Sequence, residues 1–255
     1  PLVLGKLGDG YVVASESCAF DLLNAQYLRE VQPGEVLTFT DGVCRSTKPL
    51  PPAEQAFCIF EYIYFSRPDS LGGSGSRTIM ELRNRLGEQL AIECPAAADV
   101  VIAVPDSSVP AAIGYARRSG IPYDIGLVRS HYVGRTFIEP DQKLRDFGAR
   151  IKYNPVRGVL HGKRVVVVDD SIVRGTTSRK IVSMIRDAGA REVHFRVSAP
   201  VWKNPCYFGI DTPERNKLLG ATSESVEQIR QFIQSDSLGF VSVEGLLKAM
   251  PKTKG

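Results

Sequence analysis

The most constraining feature of this sequence is a run of four valines, Val165 to Val168, that ends in two aspartates, Asp169 and Asp170. Consecutive β-branched residues are typical of a strand that is buried on both faces, as in the centre of a parallel sheet. Parallel sheets of this kind bind ligands beyond the carboxyl ends of their strands. The run therefore predicts an α/β fold in which the two carboxylates lie at the mouth of a cleft.

The residues after the two aspartates predict a phosphate site. The turn is short, contains one glycine and is rich in hydroxyl groups, and it reads Ser171-Ile172-Val173-Arg174-Gly175-Thr176-Thr177-Ser178. Apolar residues at helical spacing predict a helix over residues 178–188, and the amides that precede a helix can converge on a dianionic phosphate. The carboxylates would then face the polyol end of a sugar phosphate. The alternative is an ordinary solvated turn with acids at the start of a helix.

From about residue 56 onward the sequence alternates strands and helices, which predicts a doubly wound, mostly parallel sheet. Strands are predicted near residues 100–104, 123–128, 165–168 and 193–198, and helices near residues 78–97, 109–119 and 178–188. Residues 1–50 alternate short apolar runs with turns, which predicts antiparallel strands, and the prolines within residues 48–52 indicate a linker. The tail, including residues 226–233 and 243–250, is predicted to form two short helices.

The stretch Asp-Asp-Ser-Ile-Val-Arg-Gly-Thr-Thr, residues 169–177, resembles the loop that binds phosphoribosyl pyrophosphate (PRPP) in type I phosphoribosyltransferases. This form of the loop is found in the glutamine PRPP amidotransferase family. Other stretches agree with that family over nearly the whole chain, namely YVVASE at 11–16, EYIYFSRPDS at 61–70, VPDSS at 104–108 and YVGRTFI at 132–138. The resemblance implies a type I phosphoribosyltransferase fold preceded by the antiparallel end of a glutaminase (Ntn-type) domain. We accordingly expect a glutaminase remnant at 1–52, a phosphoribosyltransferase domain at 53–218 and a C-terminal helical segment at 219–255.

The resemblance also implies an activity. The family joins ammonia, taken from glutamine, to C1 of PRPP with loss of pyrophosphate, which gives phosphoribosylamine in the first step of purine biosynthesis. Glutamine hydrolysis needs an activated cysteine, which in the family is the first residue of the mature chain, and neither Cys18 nor Cys44 occupies that motif. We therefore expect this chain to lack the glutaminase nucleophile and to use free ammonia. The resemblance further implies a homo-oligomer that purine nucleotides inhibit by feedback.

A second phosphate element is predicted at residues 104–110, where a strand again turns into a helix. Ser107 and Ser108 would either cap that helix or face an oxyanion. The resemblance makes this segment the pyrophosphate loop and implies that Ser107, Asp169 and Asp170 hold Mg²⁺, which prefers hard oxygen ligands. The PRPP-binding residues that the resemblance implies are Asp106, Ser107, Ser108, Arg135, Lys152, Asp169, Asp170, Ser171, Arg174, Gly175, Thr176, Thr177 and Ser178.

Residues 129–152 are rich in basic side chains and include Gly134 and Gly148. Charge alone leaves a solvated basic loop and a ligand-covering lid as equal alternatives. The resemblance implies the lid, which would carry Arg135 and Lys152, close over PRPP and exclude water from the reacting carbon. No histidine is assigned a proton transfer, because neutral ammonia attacks through its lone pair and needs no base.

The five cysteines are widely spaced and form no CxxC pair, so their spacing predicts buried thiols and not a secreted disulfide framework. In the iron-sulfur branch of the family, one ligand of a [4Fe-4S] cluster precedes the Glu-Tyr-Ile-Tyr-Phe motif and another lies in an Asn/His-Pro-Cys motif. Cys58 and Cys206 match these two positions. The family supplies the other two ligands from a downstream CxxC that these 255 residues do not contain. Because four thiolates are usual, we expect an incomplete cluster site.

The net charge of +4 is mild, and the basic residues are mixed among acids, which argues against a general nucleic-acid surface. No apolar run approaches the length needed to span a membrane, and the sequence does not open with a signal-peptide pattern. We therefore expect a cytoplasmic protein that binds neither nucleic acid nor a membrane.

Two other functions stay open. A purine-base phosphoribosyltransferase resembles this loop but places an aspartate three residues after the acidic pair, where this sequence has Val173. An apolar side chain there disfavours a heterocyclic acceptor. A PRPP-sensing regulator would keep the loop without activity and would usually add a DNA-binding helix, and no basic recognition helix is evident in the sequence.

Overall fold

The computed structural model describes residues 2–51, 56–72, 77–130, 153–212 and 214–251, and the chain divides into two compact units. The first unit comprises Pro1–Leu82 with Pro251–Gly255, and the second comprises Arg83–Met250. This division falls inside helix α2 (Ile79–Glu93) and does not coincide with the domain boundaries expected after residues 52 and 218. Those boundaries stay predictions.

The first unit contains antiparallel strands, as the alternation of apolar runs and turns in residues 1–50 predicted. Its central sheet has the order β2-β1-β3, from β1 (Val3–Leu7), β2 (Gly10–Ala14) and β3 (Gln26–Glu30), with α1 (Cys18–Leu23) between β2 and β3. Two further antiparallel pairs are β4 (Val36–Thr40) with β5 (Val43–Thr47) and β6 (Leu71–Gly72) with β7 (Arg77–Thr78). A π-helix (Glu61–Phe65), which the sequence did not predict, lies in the EYIYFSRPDS stretch. Antiparallel pairing is not specific to a glutaminase domain, so that assignment stays a prediction.

The second unit is an α/β fold, which confirms the predicted class. Its parallel strands are β8 (Val100–Ala103), β11 (Arg164–Asp169), β12 (Glu192–Val197) and β13 (Ser237–Phe240), in the order β13-β12-β11-β8. Its helices after α2 are α3 (Val109–Ser119), α4 (Arg157–Leu160), α5 (Thr176–Asp187), α6 (Leu219–Thr222), α7 (Val226–Ile233) and α8 (Val243–Ala249), with a 3₁₀ turn at Arg215–Lys217. A separate antiparallel pair joins β9 (Leu127–Arg129) to β10 (Tyr153–Pro155).

The valine run lies where its sequence predicted, in the middle of the sheet. Val165 to Val168 are each 0 % exposed, because β11 is flanked by β8 on one side and β12 on the other and helices cover the sheet. Such a strand is apolar on both faces, which explains why it reads as a continuous run and not as an alternating one. Helix α3 approaches α2 closely, since a β-carbon on Gly87 would overlap the carbonyl oxygen of Ala111.

One strand of the sheet was not predicted from sequence. Residues 237–240 read Ser-Leu-Gly-Phe, a short segment without a β-branched residue, yet β13 pairs in parallel with β12. Gly239 is needed there because a β-carbon would lie 2.6 Å from the sulfur of Cys94. The tail therefore contributes an edge strand between its two helices.

The order of the strands identifies the crevice in which a ligand would bind. After β8 the chain passes through α3 and returns to pair Tyr123 with Val101, while β11 pairs with β8 as well. The chain thus leaves β8 on one side and later enters the sheet on its other side. In doubly wound sheets the ligand binds at such a switch point, beyond the carboxyl ends of the two strands.

No helix within the described part of the chain is both long and apolar enough to cross a bilayer.

Candidate functional site

The two aspartates lie at the carboxyl end of β11, in the crevice between β11 and β8. Asp169 is the last residue of the strand and pairs with Val197, and Val168 pairs with Ala103 at the end of β8. Asp169 is 7 % exposed and Asp170 is 8 % exposed. Buried carboxylates need hydrogen-bond donors, and the neighbouring loops supply them.

The Asp170 carboxylate receives one hydroxyl from each of the two predicted loops. Ser107 Oγ, in the loop after β8, donates to Asp170 Oδ2 at 2.6 Å, and Ser171 Oγ donates to Oδ1 at 2.6 Å. The structure therefore brings Ser107 and Asp170 together, although 63 residues separate them in sequence. This contact is the geometric link between the two candidate phosphate elements.

The Asp169 carboxylate is held in the same way. Its Oδ1 accepts a hydrogen bond from the Asp170 amide at 2.9 Å and one from Ser108 Oγ at 3.3 Å. Its main-chain carbonyl accepts the amide of Ser198, which follows β12, at 2.9 Å. Sequence reasoning did not identify Ser198, because its role depends on the adjacency of β11 and β12; the position just after a parallel strand is the signal that would have found it.

The turn after the aspartates forms the N-terminus of α5. Gly175 precedes the helix with φ +72°, a left-handed conformation that glycine adopts without steric cost. Thr176 and Thr177 are exposed in the first helical turn, and Ser178 is buried there. That turn carries no acidic residue and receives no side-chain cap, so its amides and the helix dipole favour an anion. The helix begins at Thr176, two residues before the predicted start, which places both threonines in its first turn.

Two predicted ligand-binding residues have other surroundings. Asp106 is exposed, and the Arg129 guanidinium donates to its carboxylate at 2.7 Å. The peptide bond between Pro105 and Asp106 is cis. Arg174 is exposed in the turn before α5. The predicted contacts of both side chains with PRPP stay predictions.

Arg135 and Lys152, which are predicted to lie on a lid, lie outside the described residues. Arg129, at the start of that basic stretch, belongs to β9 and pairs with Tyr153 of β10. The lid itself therefore stays a prediction.

The donor atoms at the carboxyl ends of β8 and β11 fit a magnesium ion. Ser107, Asp169 and Asp170 offer hydroxyl and carboxylate oxygens, and the Ser107 hydroxyl already lies against the Asp170 carboxylate. Mg²⁺ usually takes one or two carboxylates and completes its octahedron with water and substrate phosphate. Among the described residues, no group of three or more His, Cys, Asp or Glu side chains is placed to hold a metal by itself.

Neither of the two cysteines that match the iron-sulfur motifs, Cys58 and Cys206, forms a disulfide. Backbone amides of Phe208, Ile210 and Gly209 donate towards Cys206 and lower the pKa of its thiol, and the Phe208 amide lies 3.4 Å from the sulfur. Hydrogen bonds to a cysteine sulfur tune the reduction potential of a bound cluster, so the amides around Cys206 are compatible with that role. Cys58 is exposed shortly before the π-helix, so the prediction of buried thiols is wrong for this residue. A cluster at these positions stays a prediction.

Comparison with known families agrees with this geometry. The family model described as Phosphoribosyl transferase domain matches residues 79–214, more than half of the chain. This range contains the loops after β8 and β11 and the start of α5. The chain belongs to the phosphoribosyltransferase family.

Within that family, the similar proteins are amidophosphoribosyltransferases, which confirms the resemblance seen in the sequence. The Bacillus subtilis amidophosphoribosyltransferase is 55 % identical over 98 % of this chain and 52 % of its own length, and Arabidopsis thaliana chloroplastic amidophosphoribosyltransferase 1 is 56 % identical over 99 % and 44 %. This chain therefore spans about half the length of these relatives.

Solved structures give the same result. Glutamine PRPP amidotransferase from B. subtilis, complexed with ADP and GMP, superposes with a TM-score of 0.91 at 54 % identity, over 100 % of this chain and 56 % of that one. A structure described as the allosteric regulatory enzyme of purine biosynthesis gives a TM-score of 0.91 at 53 % identity, over 100 % of this chain and 54 % of that one.

Proposed function

We propose that this protein transfers the 5-phosphoribosyl group of PRPP to ammonia, giving 5-phosphoribosylamine and pyrophosphate. The observation that supports this most strongly is the meeting of Ser107 with Asp170 at the switch point of the sheet. It joins two elements that each suit one end of PRPP, the loop after β8 for pyrophosphate and the start of α5 for the 5′-phosphate. The names of the relatives point to the same reaction.

The start of α5 would bind the 5′-phosphate. The amides of residues 176–178 lie in the first turn of the helix, where N–H groups have no acceptor within the helix, and a helix N-terminus favours a dianion. Thr177 is exposed in this turn and can add a hydroxyl donor. The ribose would then extend towards Asp169 and Asp170, whose carboxylates accept hydrogen bonds from hydroxyl groups.

Departure of pyrophosphate needs charge stabilisation. Ser107, Asp169 and Asp170 would hold Mg²⁺, which supplies positive charge to the leaving pyrophosphate oxygens when it is bound. The chain itself orients the leaving group, because Ser107 and Ser108 are fixed against the aspartates by hydrogen bonds. Catalysis of this step therefore needs only that the protein orients the reactants and stabilises the developing charge.

The nucleophile explains why no general base is required. The nitrogen lone pair of ammonia forms the new bond to C1 as the bond from C1 to the pyrophosphate oxygen breaks, and the surplus proton leaves to solvent. Of the described histidines, His194 is largely buried beside Ser237, and burial lowers the pKa of its imidazole. It lies on β12 and takes no part in the proposed reaction.

The wider setting is also proposed. Glutamine would be the ultimate nitrogen source, purine nucleotides would act as feedback inhibitors and the protein would form a homo-oligomer in the cytoplasm. The B. subtilis structure was solved with ADP and GMP, which supports nucleotide binding, whereas relatives named chloroplastic show that the compartment differs between organisms. Cys58 and Cys206 would contribute to a [4Fe-4S] cluster with two further ligands.

Pyrophosphate release in the presence of PRPP and Mg²⁺ tests the proposal. With ammonium chloride as the nitrogen source, the rate should climb from about pH 7 to pH 9, because the neutral nucleophile accumulates in that range. A parallel reaction with glutamine reports whether a glutaminase activity accompanies the transfer. Absence of ammonia-dependent turnover would contradict the proposed reaction.

The same assay distinguishes the two alternatives. Turnover with hypoxanthine or adenine, but not with ammonia, would indicate a purine-base phosphoribosyltransferase. Binding of Mg-PRPP in calorimetry without turnover on any acceptor would indicate a PRPP-sensing regulator. Val173 contributes only its main-chain carbonyl, which accepts the Leu219 amide. Its apolar side chain cannot accept a proton from a purine ring, which disfavours the purine-base phosphoribosyltransferase.

A further inference from the structure

Gly175 is buried although its neighbours Arg174 and Thr176 are exposed. The side chains that cover it come from the C-terminal part of the second unit, from Leu219 of α6 and Phe232 of α7. A β-carbon on Gly175 would overlap Leu219 Cδ2 and would lie 2.9 Å from Phe232 Cε1. Gly175 is therefore enclosed by two side chains that lie far from it in sequence.

Two polar interactions connect the same segments. The Leu219 amide donates to the Val173 carbonyl at 2.9 Å, which fixes the main chain of the turn two residues before Gly175. The Arg179 guanidinium, one turn into α5, lies over the Phe232 ring at 5.8 Å from its centroid, within the range of a cation–π interaction. The turn is thus held by a main-chain hydrogen bond, by apolar contact and by a cation–π pair.

We propose that Leu219 and Phe232 are positioning residues of the phosphate site, an inference that rests on the proposed function. Glycine has the largest conformational freedom of any residue, so a turn built on it is not rigid by itself. Packing of Leu219 and Phe232 against Gly175 restricts the turn to the conformation with φ +72°. The amides of residues 176–178 are then aligned before the 5′-phosphate arrives, and less entropy is lost on binding.

This role differs from ordinary core packing in what it affects. Phe232 is 37 % exposed and contributes less to the core than Ile233, the next residue of α7, which is fully buried. Truncation of Phe232 should therefore weaken phosphate binding more than it weakens folding. Truncation of Ile233 should weaken folding more than phosphate binding, because no atom of Ile233 is among those nearest to a β-carbon on Gly175.

The test compares Leu219→Ala and Phe232→Ala with Ile233→Ala in the intact protein. Both positioning variants should raise the KM for PRPP about tenfold and leave kcat within about twofold, since they misalign the phosphate ligands without touching the reacting atoms. Ile233→Ala should lower the melting temperature further and leave the KM unchanged. Phe232→Tyr, which keeps the ring, should retain the wild-type KM.

Binding of simpler ligands locates the effect. Ribose 5-phosphate, which carries the 5′-phosphate but no pyrophosphate, should bind both positioning variants more weakly in calorimetry, while inorganic pyrophosphate with Mg²⁺ should bind them as it binds the wild type. Equal weakening of both ligands, unchanged KM values in Leu219→Ala and Phe232→Ala, or an equal rise in Ile233→Ala would overturn the inference alone. A wild-type protein that binds neither PRPP nor ribose 5-phosphate would overturn the proposed function together with this inference.

Discussion

The two ends of the same strand pair, β8 and β11, use carboxylates in different ways. At the amino ends, Asp99 precedes β8 and Arg164 begins β11, and the Arg164 guanidinium donates to Asp99 at 2.7 Å while its amide donates at 2.8 Å. At the carboxyl ends, the Asp170 carboxylate accepts the hydroxyls of Ser107 and Ser171. One end is closed by an ion pair between strands, and the other is organised by hydroxyl groups.

The two ends differ in the hydrogen-bonding capacity of the groups that donate to the carboxylates. A guanidinium can only donate, and Arg164 donates two side-chain hydrogen bonds to Asp99 and lowers the pKa of that carboxyl. A serine hydroxyl both donates and accepts, so Ser107 can offer its lone pairs to a cation while it donates to Asp170, or can redirect its proton to a phosphate oxygen. The amino ends therefore contribute to stability, and the carboxyl ends are suited to binding.

The largest expected effect is at the carboxyl ends. Asp169→Asn and Asp170→Asn should each lower kcat/KM for Mg-PRPP by about 10²-fold or more, because charge stabilisation at the leaving group is lost. The melting temperature should change little, since asparagine keeps the shape and most hydrogen bonds of aspartate. Pyrophosphate release and calorimetry with and without Mg²⁺ measure the effect. PRPP affinity that is unchanged in both variants would disprove the assignment of the site.

A smaller effect is expected at the phosphate end of the same crevice. Thr177→Val removes one hydroxyl donor from the first turn of α5 and should weaken PRPP binding by about 1–3 kcal/mol, the usual contribution of a hydrogen bond to a charged group. Thr38→Val on β4, where the threonine is also exposed, is the matched control and should leave the KM unchanged. Equal KM values for Thr177→Val and Thr38→Val would show that Thr177 does not contact PRPP.

The amino ends should show the opposite result. Asp99→Asn removes the charge that pairs with Arg164 and should lower the melting temperature by a few degrees at pH 7, as surface-accessible ion pairs contribute modestly. Its KM for PRPP should equal that of the wild type. A tenfold rise in KM would show that the two ends of the strand pair are not functionally separate.

The smallest expected effect is the change with pH in the difference in melting temperature between the wild type and Asp99→Asn. Because Arg164 lowers the pKa of the Asp99 carboxyl in the folded protein below its ordinary value of 3.8, the pair stabilises the fold above that pH. This stabilisation is lost as the pH falls through the lowered pKa. The difference in melting temperature between wild type and Asp99→Asn should therefore shrink as thermal melts move from pH 5 to pH 2, and a constant difference would contradict the pairing.

Local patterns in the sequence were sufficient for the central strands and the longer helices, but the strand predicted near residues 123–128 is an isolated bridge at Tyr123 followed by β9 at Leu127–Arg129. The valine run predicted the central strand because a strand covered on both faces must be apolar at every position. The predicted helix at residues 109–119 is α3, and α5 differs from its prediction by about two residues at its start. The strand β13 escaped prediction because it has no valine or isoleucine and gains its stability from pairing with β12, a partner that its own sequence does not specify.

The sequence by itself determined the class of the fold, the chemistry of the turn after β11 and the family, since these depend on residue types and short spacings along the chain. Only the tertiary structure decided that the hydroxyl of Ser107 meets the carboxylate of Asp170, that Ser198 holds the main chain of Asp169, and that Leu219 and Phe232 enclose Gly175. These contacts join residues far apart in the chain. They depend on the order of the strands and on where the C-terminal helices pack, which periodicity within one segment does not encode.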